Sequence, residues 1–423
     1  MKILLINNLY GRYARGGAER IVATIAEELE RAGNSVAILT AGVFTGLRSL
    51  WPRAEVERTG SASTSSANNG MSPERSRRVY RFFPNSLFSI INIGRYPRWM
   101  RLIWHIADAG NDWPAWMLLR VVLKEKPEIV WTHNLKGLGG YIPTALRLLK
   151  IAHIHQLHDV QLLDPSGLLY LNDLERKWPW HRRLYANWYR RRMGSPTLVV
   201  SPTQWLLDLH LQHGFFKKSK TLVLANPTPS CPVLVPHSDG VIPSRVEGSR
   251  INLLFAGQLV EHKGIRFLIE ALKAADFSFS WELHIAGTGA LESKLQGDLA
   301  GDARFIFHGK LSAQPFEQVW SQIDLTIVPS LCIENAPTII LESFARGIPV
   351  LASRVGGIPE MVKEGESGWL FEPGNPGELR EKLAFAVQKI QDGFRPEHQT
   401  PQSPKDYAEQ VLTVLGNFVR PRN

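Results

Sequence analysis

Two glutamates frame the segment Glu334-Asn335-Ala336-Pro337-Thr338-Ile339-Ile340-Leu341-Glu342, which carries the clearest chemistry in this 423-residue chain. The apolar run Leu325–Val328 precedes it. Asn335 can cap a helix and Pro337 suits a first helical turn, so Glu334 falls in a loop above a sheet and Glu342 inside the following helix. The spacing is just over two helical turns, so the two carboxylates need not share a face. One at a rim and one deeper suit two different hydroxyl-bearing groups of one ligand, with a helix N-terminus between them for an anion. Such a pair alone is common by chance. Here it is followed by Gly347-Ile348-Pro349-Val350-Leu351-Ala352-Ser353 and Gly356-Gly357-Ile358-Pro359-Glu360, and the combination is specific.

Gly257-Gln258-Leu259-Val260-Glu261-His262-Lys263-Gly264 ends at a helix start. Lys263 and the helix dipole can hold a diphosphate there, although a solvated loop lysine is the plainer reading of that residue alone. Arg15-Gly16-Gly17-Ala18-Glu19 holds the same place in the first half. It is either a backbone cradle for phosphate or an ordinary tight turn, and it is not the G-x-G-x-x-G of a dinucleotide site. His153, His155 and His158 lie close together in sequence. His153 and His155 alternate with apolar residues as in a strand, and no cysteine or carboxylate cluster follows at ligand spacing, so no metal site is expected. His158-Asp159, at a strand end, is the better candidate for chemistry. His133, at the end of the preceding strand, either supports it or is simply capped.

The elements that must position these residues follow from hydrophobic rhythm. Lys2–Asn7 reads as a strand, Asn8–Gly17 as a polar loop, and Ala18–Gly33 as a helix with Ile21, Val22, Ile25, Ala26 and Leu29 on one face. Ser35–Thr40 is a second strand, which completes a βαβ opening and implies a parallel sheet. Further buried strands fall at Ile129–Thr132, Ile151–Ile154 and Thr197–Ser201. Residues 42–84 break the rhythm, and Ser61–Ser72 reads as a mobile loop. Pro227–Ser249, with five prolines, reads as a linker. From Ile251, strands at Asn252–Ala256, Glu282–Ala286, Arg304–Phe307, Leu325–Val328, Val350–Ala352 and Trp369–Phe371 alternate with helices. Those helices fall at Ile265–Ala275, Leu291–Leu299, Pro315–Ile323, Thr338–Arg346 and Gly377–Ile390. The expected fold is α/β: two Rossmann-like, doubly wound parallel-sheet domains facing a cleft. The first spans 1–226, the linker 227–250, and the second 251–404. A last amphipathic helix at about 405–418 is free to pack back on the first domain.

Composition narrows the classes. With 44% hydrophobic residues, 21% charged and 13 Trp, the chain can bury large cores and is neither disordered nor fibrous. Two cysteines, Cys231 and Cys332, give no disulfide framework and point to a reducing, cytoplasmic setting. No apolar run reaches the roughly 18 residues of a spanning helix. The net charge of +10 is uneven: residues 1–250 hold 33 Lys/Arg against 18 Asp/Glu, and residues 251–423 hold 16 against 21. Only the front half is expected to meet polyanions. Within Arg77–His105, six arginines (Arg77, Arg78, Arg81, Arg95, Arg98 and Arg101) stand among seven aromatic residues, with no Asp or Glu. That suits peripheral docking on an anionic membrane, at its inner face, or equally a loop and helix whose aromatics pack on the sheet. Arg182-Arg183 and Arg190-Arg191-Arg192, among Trp178, Trp180, Tyr185 and Trp188, extend that face or bind a phosphorylated acceptor. No nucleic-acid-binding module is recognisable, and no nucleic acid is expected.

The motifs together resemble a known family. Gly257–Gly264, Ile285-Ala286-Gly287-Thr288-Gly289, Phe305-Ile306-Phe307-His308-Gly309, Glu334–Glu342 and Gly356–Glu360 resemble the donor-binding domain of retaining glycosyltransferases of the GT-B fold, family 4. The likeness covers nearly all of 251–390. In the first half it rests on Gly16–Glu19, Val130–Asn134, His158-Asp159 and Ala225-Asn226-Pro227, and residues 42–125 match nothing in it. The resemblance implies a nucleotide-diphosphate sugar as donor substrate, no cofactor and no obligatory metal. It implies that Lys263 binds the diphosphate, Glu342 accepts from ribose hydroxyls and Glu334 contacts the sugar. It gives the amides of Asn335, Ala336 and Thr338 to sugar or phosphate, and Leu311 to the base. Gly16 and Gly17 would approach the diphosphate and His158 the reacting sugar, which makes His158, Glu334 and Lys263 the catalytic candidates. One position departs: Gln258 stands where the family has an arginine, and a glutamine cannot neutralise a leaving diphosphate. The implied reaction moves a hexose to a hydroxyl of a saccharide or lipid-linked acceptor with retention of configuration, in cell-surface polysaccharide or glycolipid synthesis. Two alternatives stay open. One is an epimerase of similar fold, with Glu334 and Glu342 abstracting protons. The other, motivated by Gln258, is a non-catalytic nucleotide-sugar-binding protein.

Overall fold

The computed structural model describes residues 1–14, 16–59, 75–228, 250–396 and 402–416. Arg15, the stretch 61–72, nearly all of the 227–250 linker with Cys231, and residues 417–418 lie outside the described residues. Through residue 228 the strands are β1 (Lys2–Ile6), β2 (Ser35–Ala41), β3 (Arg53–Thr59), β4 (Arg75–Phe82), β5 (Ile129–Thr132), β6 (Ala152–Gln156), β7 (Leu198–Ser201) and β8 (Lys220–Val223). They form one sheet in the order β3-β4-β2-β1-β5-β6-β7-β8. Every pairing is parallel except β3 with β4. The helices are α1 (Gly17–Arg31), α2 (Arg98–Gly110), α3 (Trp113–Glu125), α4 (Ile142–Leu148), α5 (Leu171–Glu175), α6 (Trp180–Met193) and α7 (Gln204–Gln212). β5 and β7 are buried end to end, as strands covered on both faces must be.

Residues 42–84 hold two strands that hydrophobic rhythm does not show, because β3 and β4 are charged. Arg77, Arg78 and Arg81 of β4 are matched by partners within the domain. Arg77 is buried and grips both carboxylate oxygens of Glu30, at 2.8 and 2.7 Å, and also bonds the Tyr10 hydroxyl. Arg81 donates to Glu55 at 3.1 Å and to the Tyr10 carbonyl at 3.0 Å, and Arg78 pairs with Glu125 at 2.8 Å. Tyr80, Phe82, Phe83, Phe88 and Trp104 are buried. The membrane reading of Arg77, Arg78 and Arg81 is therefore corrected: these cations answer carboxylates of the same domain.

From residue 250 the strands are β9 (Ile251–Ala256), β10 (Trp281–Ala286), β11 (Phe305–Gly309), β12 (Leu325–Val328), β13 (Val350–Ser353) and β14 (Gly368–Phe371). They form an all-parallel sheet in the order β11-β10-β9-β12-β13-β14. The helices are α8 (Ile265–Lys273), α9 (Glu292–Asp298), α10 (Ala313–Trp320), α11 (Thr338–Phe344), α12 (Ile358–Met361) and α13 (Pro376–Gln391), followed by α14 (Pro404–Gly416). Each strand expected in this half is present, and the short α12 is additional. The fold is α/β with two Rossmann-like sheets.

The contacts divide the chain into two units. Met1–Gly167, Trp178–Pro229 and Pro404–Asn423 form the first, and Leu168–Lys177 with Ser230–Ser403 the second. The division of the sequence at 226 is thus corrected for 168–177. Leu169 is fully buried, and its carbonyl accepts the Ile333 N–H at 2.7 Å. α14 packs on α1, with Tyr407, Ala408 and Val411 in one core with Ile3, Leu5, Ile25 and Trp131. The Tyr407 ring stacks on Trp131, and its hydroxyl donates to Gln156 Oε1 at 2.7 Å.

Candidate active site

Strand order in the second sheet reverses between β9 and β12, and ligands bind at the carboxyl ends of strands at such a point. Loop 257–264 leaves β9, and loop 329–337 leaves β12. The Leu331 N–H donates to the His262 carbonyl at 2.9 Å, which lays the loops side by side. Lys263 Nζ then reaches Glu334 Oε1 at 2.5 Å, and Ser330 Oγ donates to the same oxygen at 2.9 Å. Burial pulls the Lys263 ammonium down, and the Glu334 carboxylate beside it more than reverses that, holding it above the usual lysine range. Lys263 is a fixed cation that still reaches solvent, with 31% of its side chain exposed.

Two glycines make this approach possible. Gly264 has φ +74°, and a Cβ there would lie 1.8 Å from the Pro329 carbonyl oxygen. Gly356 has φ +60°, and its Cβ would lie 2.0 Å from the Glu334 carbonyl oxygen, which accepts the Gly357 N–H at 2.8 Å. The Gly356-Gly357 motif is thus the backing of the Glu334 loop. Gly356→Ala is expected to cost about 1–2 kcal/mol from left-handed backbone alone. The forced shift of Glu334 adds to that. A lowered melting temperature together with weaker nucleotide binding would be seen. A variant with wild-type melting and binding would rule out this backing role.

The cap assignment is corrected. α11 begins at Thr338 with Pro337 as its N-cap residue, so Asn335 does not cap it. Pro337 has ψ 120°, extended rather than helical, which delays the helix by one residue. Asn335 is buried within the loop, and Ala336 follows it half-buried. Glu342 lies buried inside α11. The structure therefore gathers Lys263, Glu334, Asn335, Ala336, Thr338 and Glu342 on two adjacent loops and one helix. Gln258 is exposed on the first loop. Leu311 leaves edge strand β11 and packs against the separate cluster of Leu254, Val319, Trp320 and Ile348.

In the first sheet the order reverses between β1 and β5. There the His133 N–H donates to the Ile6 carbonyl at 2.8 Å, and the Asn134 N–H to Asn7 Oδ1 at 3.0 Å. His158, just past β6, has Nε2 2.9 Å from His133 Nδ1. His133 Nε2 is buried without a hydrogen-bond partner, which costs least when that nitrogen carries no proton. On that assignment His133 Nδ1–H donates to His158 Nε2, and the His158 proton sits on Nδ1. Burial pushes His158 down to about 3 and holds His133 well below the usual histidine range, so both rings are neutral near pH 7. His133, Asn134 and His158 line a pocket with Lys136, Asp159, Tyr185 and Tyr189. Burial raises Asp159 to about 6, against two hydrogen bonds from Gln161. His153 and His155 both bond Thr132 Oγ1, at 2.7 and 2.9 Å.

Gly16 and Gly17 open α1, and the Gly16 N–H is already bonded to Glu19 Oε2 at 2.7 Å. That amide is occupied by the protein's own carboxylate, which favours the tight-turn reading at Gly16. His133 contacts His158, which favours the supporting reading of that residue over the capped one. One contributor escaped the sequence reading: buried Asp108 accepts the Gly137 and Gly139 N–H groups at 2.8 and 3.1 Å, which fixes the loop after β5. Only the glycine cluster at 137–140 hinted at it.

The buried histidines imply acid sensitivity. Burial pushes His153 down to about 3 and His210 to about 4, whereas each titrates near 6.5 when unfolded. The unfolded chain then binds more protons over that interval, so stability present above pH 6.5 is lost as pH falls. At pH 5 each of these two histidines costs about 2 kcal/mol. Asp108 and Asp159, both raised to about 6 by burial, act in the opposite sense by about 1 kcal/mol each. His133 and His155 add to the histidine side. The melting temperature at pH 5 is expected below that at pH 7.5, and an equal or higher value would contradict the balance.

Comparison with known proteins fits this geometry. A family model described as "Glycosyl transferase 4-like domain" matches residues 16–227, and one described as "Glycosyl transferases group 1" matches 250–389. An uncharacterized 42.6 kDa protein in the cps region of Klebsiella pneumoniae is 24% identical over 371 residues, 86% of this chain and 88% of that protein. The amylovoran biosynthesis glycosyltransferase AmsK of Erwinia amylovora is 31% identical over 156 residues, 34% of this chain and 36% of that one. Among solved structures, Anabaena Alr3699/HepE in complex with UDP and glucose superposes with TM-score 0.60 at 17% identity, covering 99% of this chain and 100% of that one. Both sheets, both switch points and both family models thus converge, and the chain belongs to the group 1 glycosyltransferases of the GT-B fold.

Proposed function

We propose that the chain is a retaining, family 4 enzyme that moves a hexose from a nucleotide-diphosphate sugar to an acceptor hydroxyl. The carrying observation is the Lys263–Glu334 pair at the switch point, with Glu342 buried in the helix that follows. In this reading Lys263 takes the diphosphate, Glu342 accepts from the ribose hydroxyls, and Glu334 holds a sugar hydroxyl. Asn335, Ala336 and Thr338 offer backbone amides, and no resident cofactor is called for. Gln258 leaves Lys263 and those amides to meet the leaving charge. The departing phosphate serves as base for the acceptor hydroxyl, and neutral His158 orients the sugar as a hydrogen-bonding group rather than as an acid. The rate then comes from orientation and charge stabilisation. Glu334 is already engaged by Lys263 and Ser330, which argues against the epimerase alternative, where it would have to take a proton.

The relatives' names suggest the pathway and the donor. AmsK is named for amylovoran biosynthesis, the Klebsiella relative for its cps region, and HepE was solved with UDP and glucose. Synthesis of a cell-surface polysaccharide from a UDP-hexose is therefore the first case to assay. Incubation with UDP-, GDP- and ADP-sugars and a panel of saccharide and lipid-linked acceptors, followed by proton NMR of the new linkage, tests the proposal. A product with the donor's anomeric configuration is expected. An inverted product would end the retaining assignment, and a donor that binds but is never transferred would support the non-catalytic alternative.

A further inference from the structure

We propose that the outer faces of α2 and α6 form a docking surface for an anionic lipid bilayer. On α2, Trp99, Leu102, Ile103 and Ile106 are 48–69% exposed and follow the helical spacing of a single stripe. The opposite side is anchored by buried Trp104, whose Nε1 donates to the Phe88 carbonyl at 2.6 Å. The one acidic residue of α2, Asp108, is buried against the Gly137 and Gly139 amides, so the outer stripe carries no negative charge. Exposed Arg95 precedes it. On α6, Trp180, Leu184 and Trp188 are 76%, 62% and 38% exposed, again along one side, with exposed Arg183 and Arg191 beside them. Residues 176–193 contain seven Lys/Arg and no Asp or Glu. The two helices meet where Trp188 Nε1 donates to the Ala109 carbonyl at 3.0 Å.

A wide apolar stripe on a monomer marks a binding surface. The charge selects the occupant. Apolar and indole side chains flanked by arginine, without acidic residues, match the interfacial layer of an anionic bilayer. A second copy would set like charges against one another. Among the described residues no helix is long and apolar enough to cross a membrane, so contact is with the surface. Arg77, Arg78 and Arg81 take no part, being matched within the fold. The docking surface does not depend on the identity of the sugar, but it would bring the enzyme to where a lipid-linked acceptor lies.

Flotation of the full chain with vesicles of phosphatidylglycerol and phosphatidylcholine, and with phosphatidylcholine alone, tests the proposal. Binding to the anionic vesicles, weakened by high salt, is expected. Trp99→Ser with Ile106→Ser, and separately Arg183→Glu with Arg191→Glu, should each lower the bound fraction about tenfold or more. Melting temperature and nucleotide binding should stay at wild-type values, because these side chains are exposed and remote from Lys263 and Glu334 in sequence. Equal flotation on neutral vesicles, no loss in salt, or wild-type flotation of either double variant would overturn the proposal. So would a dimer in light scattering that the Trp99 and Ile106 changes dissolve. Unchanged donor binding in a variant that no longer floats separates docking from the catalytic reading.

Discussion

Lys263→Ala is expected to lower turnover by about 10²–10³-fold, the loss typical of removing one preorganised group from developing negative charge. The expectation rests on the proposed role of Lys263, and the structure supplies its basis: Glu334, 2.5 Å away, holds Lys263 charged and in place. The same change strips Glu334 of its cation in a setting where its side chain is only 12% exposed, so stability falls as well. A double variant, Lys263→Ala with Glu334→Gln, removes the unpaired carboxylate and so isolates the stability effect. Its melting temperature should recover toward wild type while turnover stays low. Recovery of turnover along with stability would show that Lys263 acts on the fold rather than on the diphosphate.

Tyr407→Ala is expected to cost roughly 3–5 kcal/mol, the range for removing a large buried aromatic side chain. Tyr407 is fully buried, stacked on Trp131, and bonded to Gln156 Oε1. Its loss leaves a cavity and an orphaned amide beneath β5 and β6. For a domain of this size that corresponds to a fall of roughly 10 °C in melting temperature. Tyr407→Phe keeps the ring and should recover most of the loss. If Tyr407→Ala melted like wild type, α14 would not belong to the first core.

The second sheet was almost wholly legible because its strands are short apolar runs that alternate with amphipathic helices, and its glycine motifs are local. Glu334 and Glu342 could be singled out for the same reason. What brings Glu334 to Lys263 could not, because half of the second sheet's strands separate the pair in sequence and the β9–β12 pairing brings their loops together. Arg77 and Arg81 of β4 show the opposite case. Their density suggested a surface, yet the antiparallel register with β3 and the nearness of α1 supply Glu55 and Glu30. Charged strands leave no apolar rhythm, so neither β3 nor β4 was visible. The excursion of 168–177 into the second unit has no local signal either, since a backbone bond from Ile333 to Leu169 holds it. Pro337 as cap, in place of Asn335, reflects one backbone angle that composition does not encode.

The account stands most directly on donor recognition by Glu342. Calorimetric titration of the wild type and of Glu342→Ala with UDP-, GDP- and ADP-hexoses measures it. Charged hydrogen bonds contribute roughly 1.5–3 kcal/mol, so loss of the acceptor for the ribose hydroxyls should weaken binding at least about tenfold. Saturable binding of one nucleotide class by the wild type, weakened to that extent in a folded Glu342→Ala, is the predicted result. Identical donor affinity in the two proteins, or no binding of any nucleotide sugar by the wild type, would contradict it.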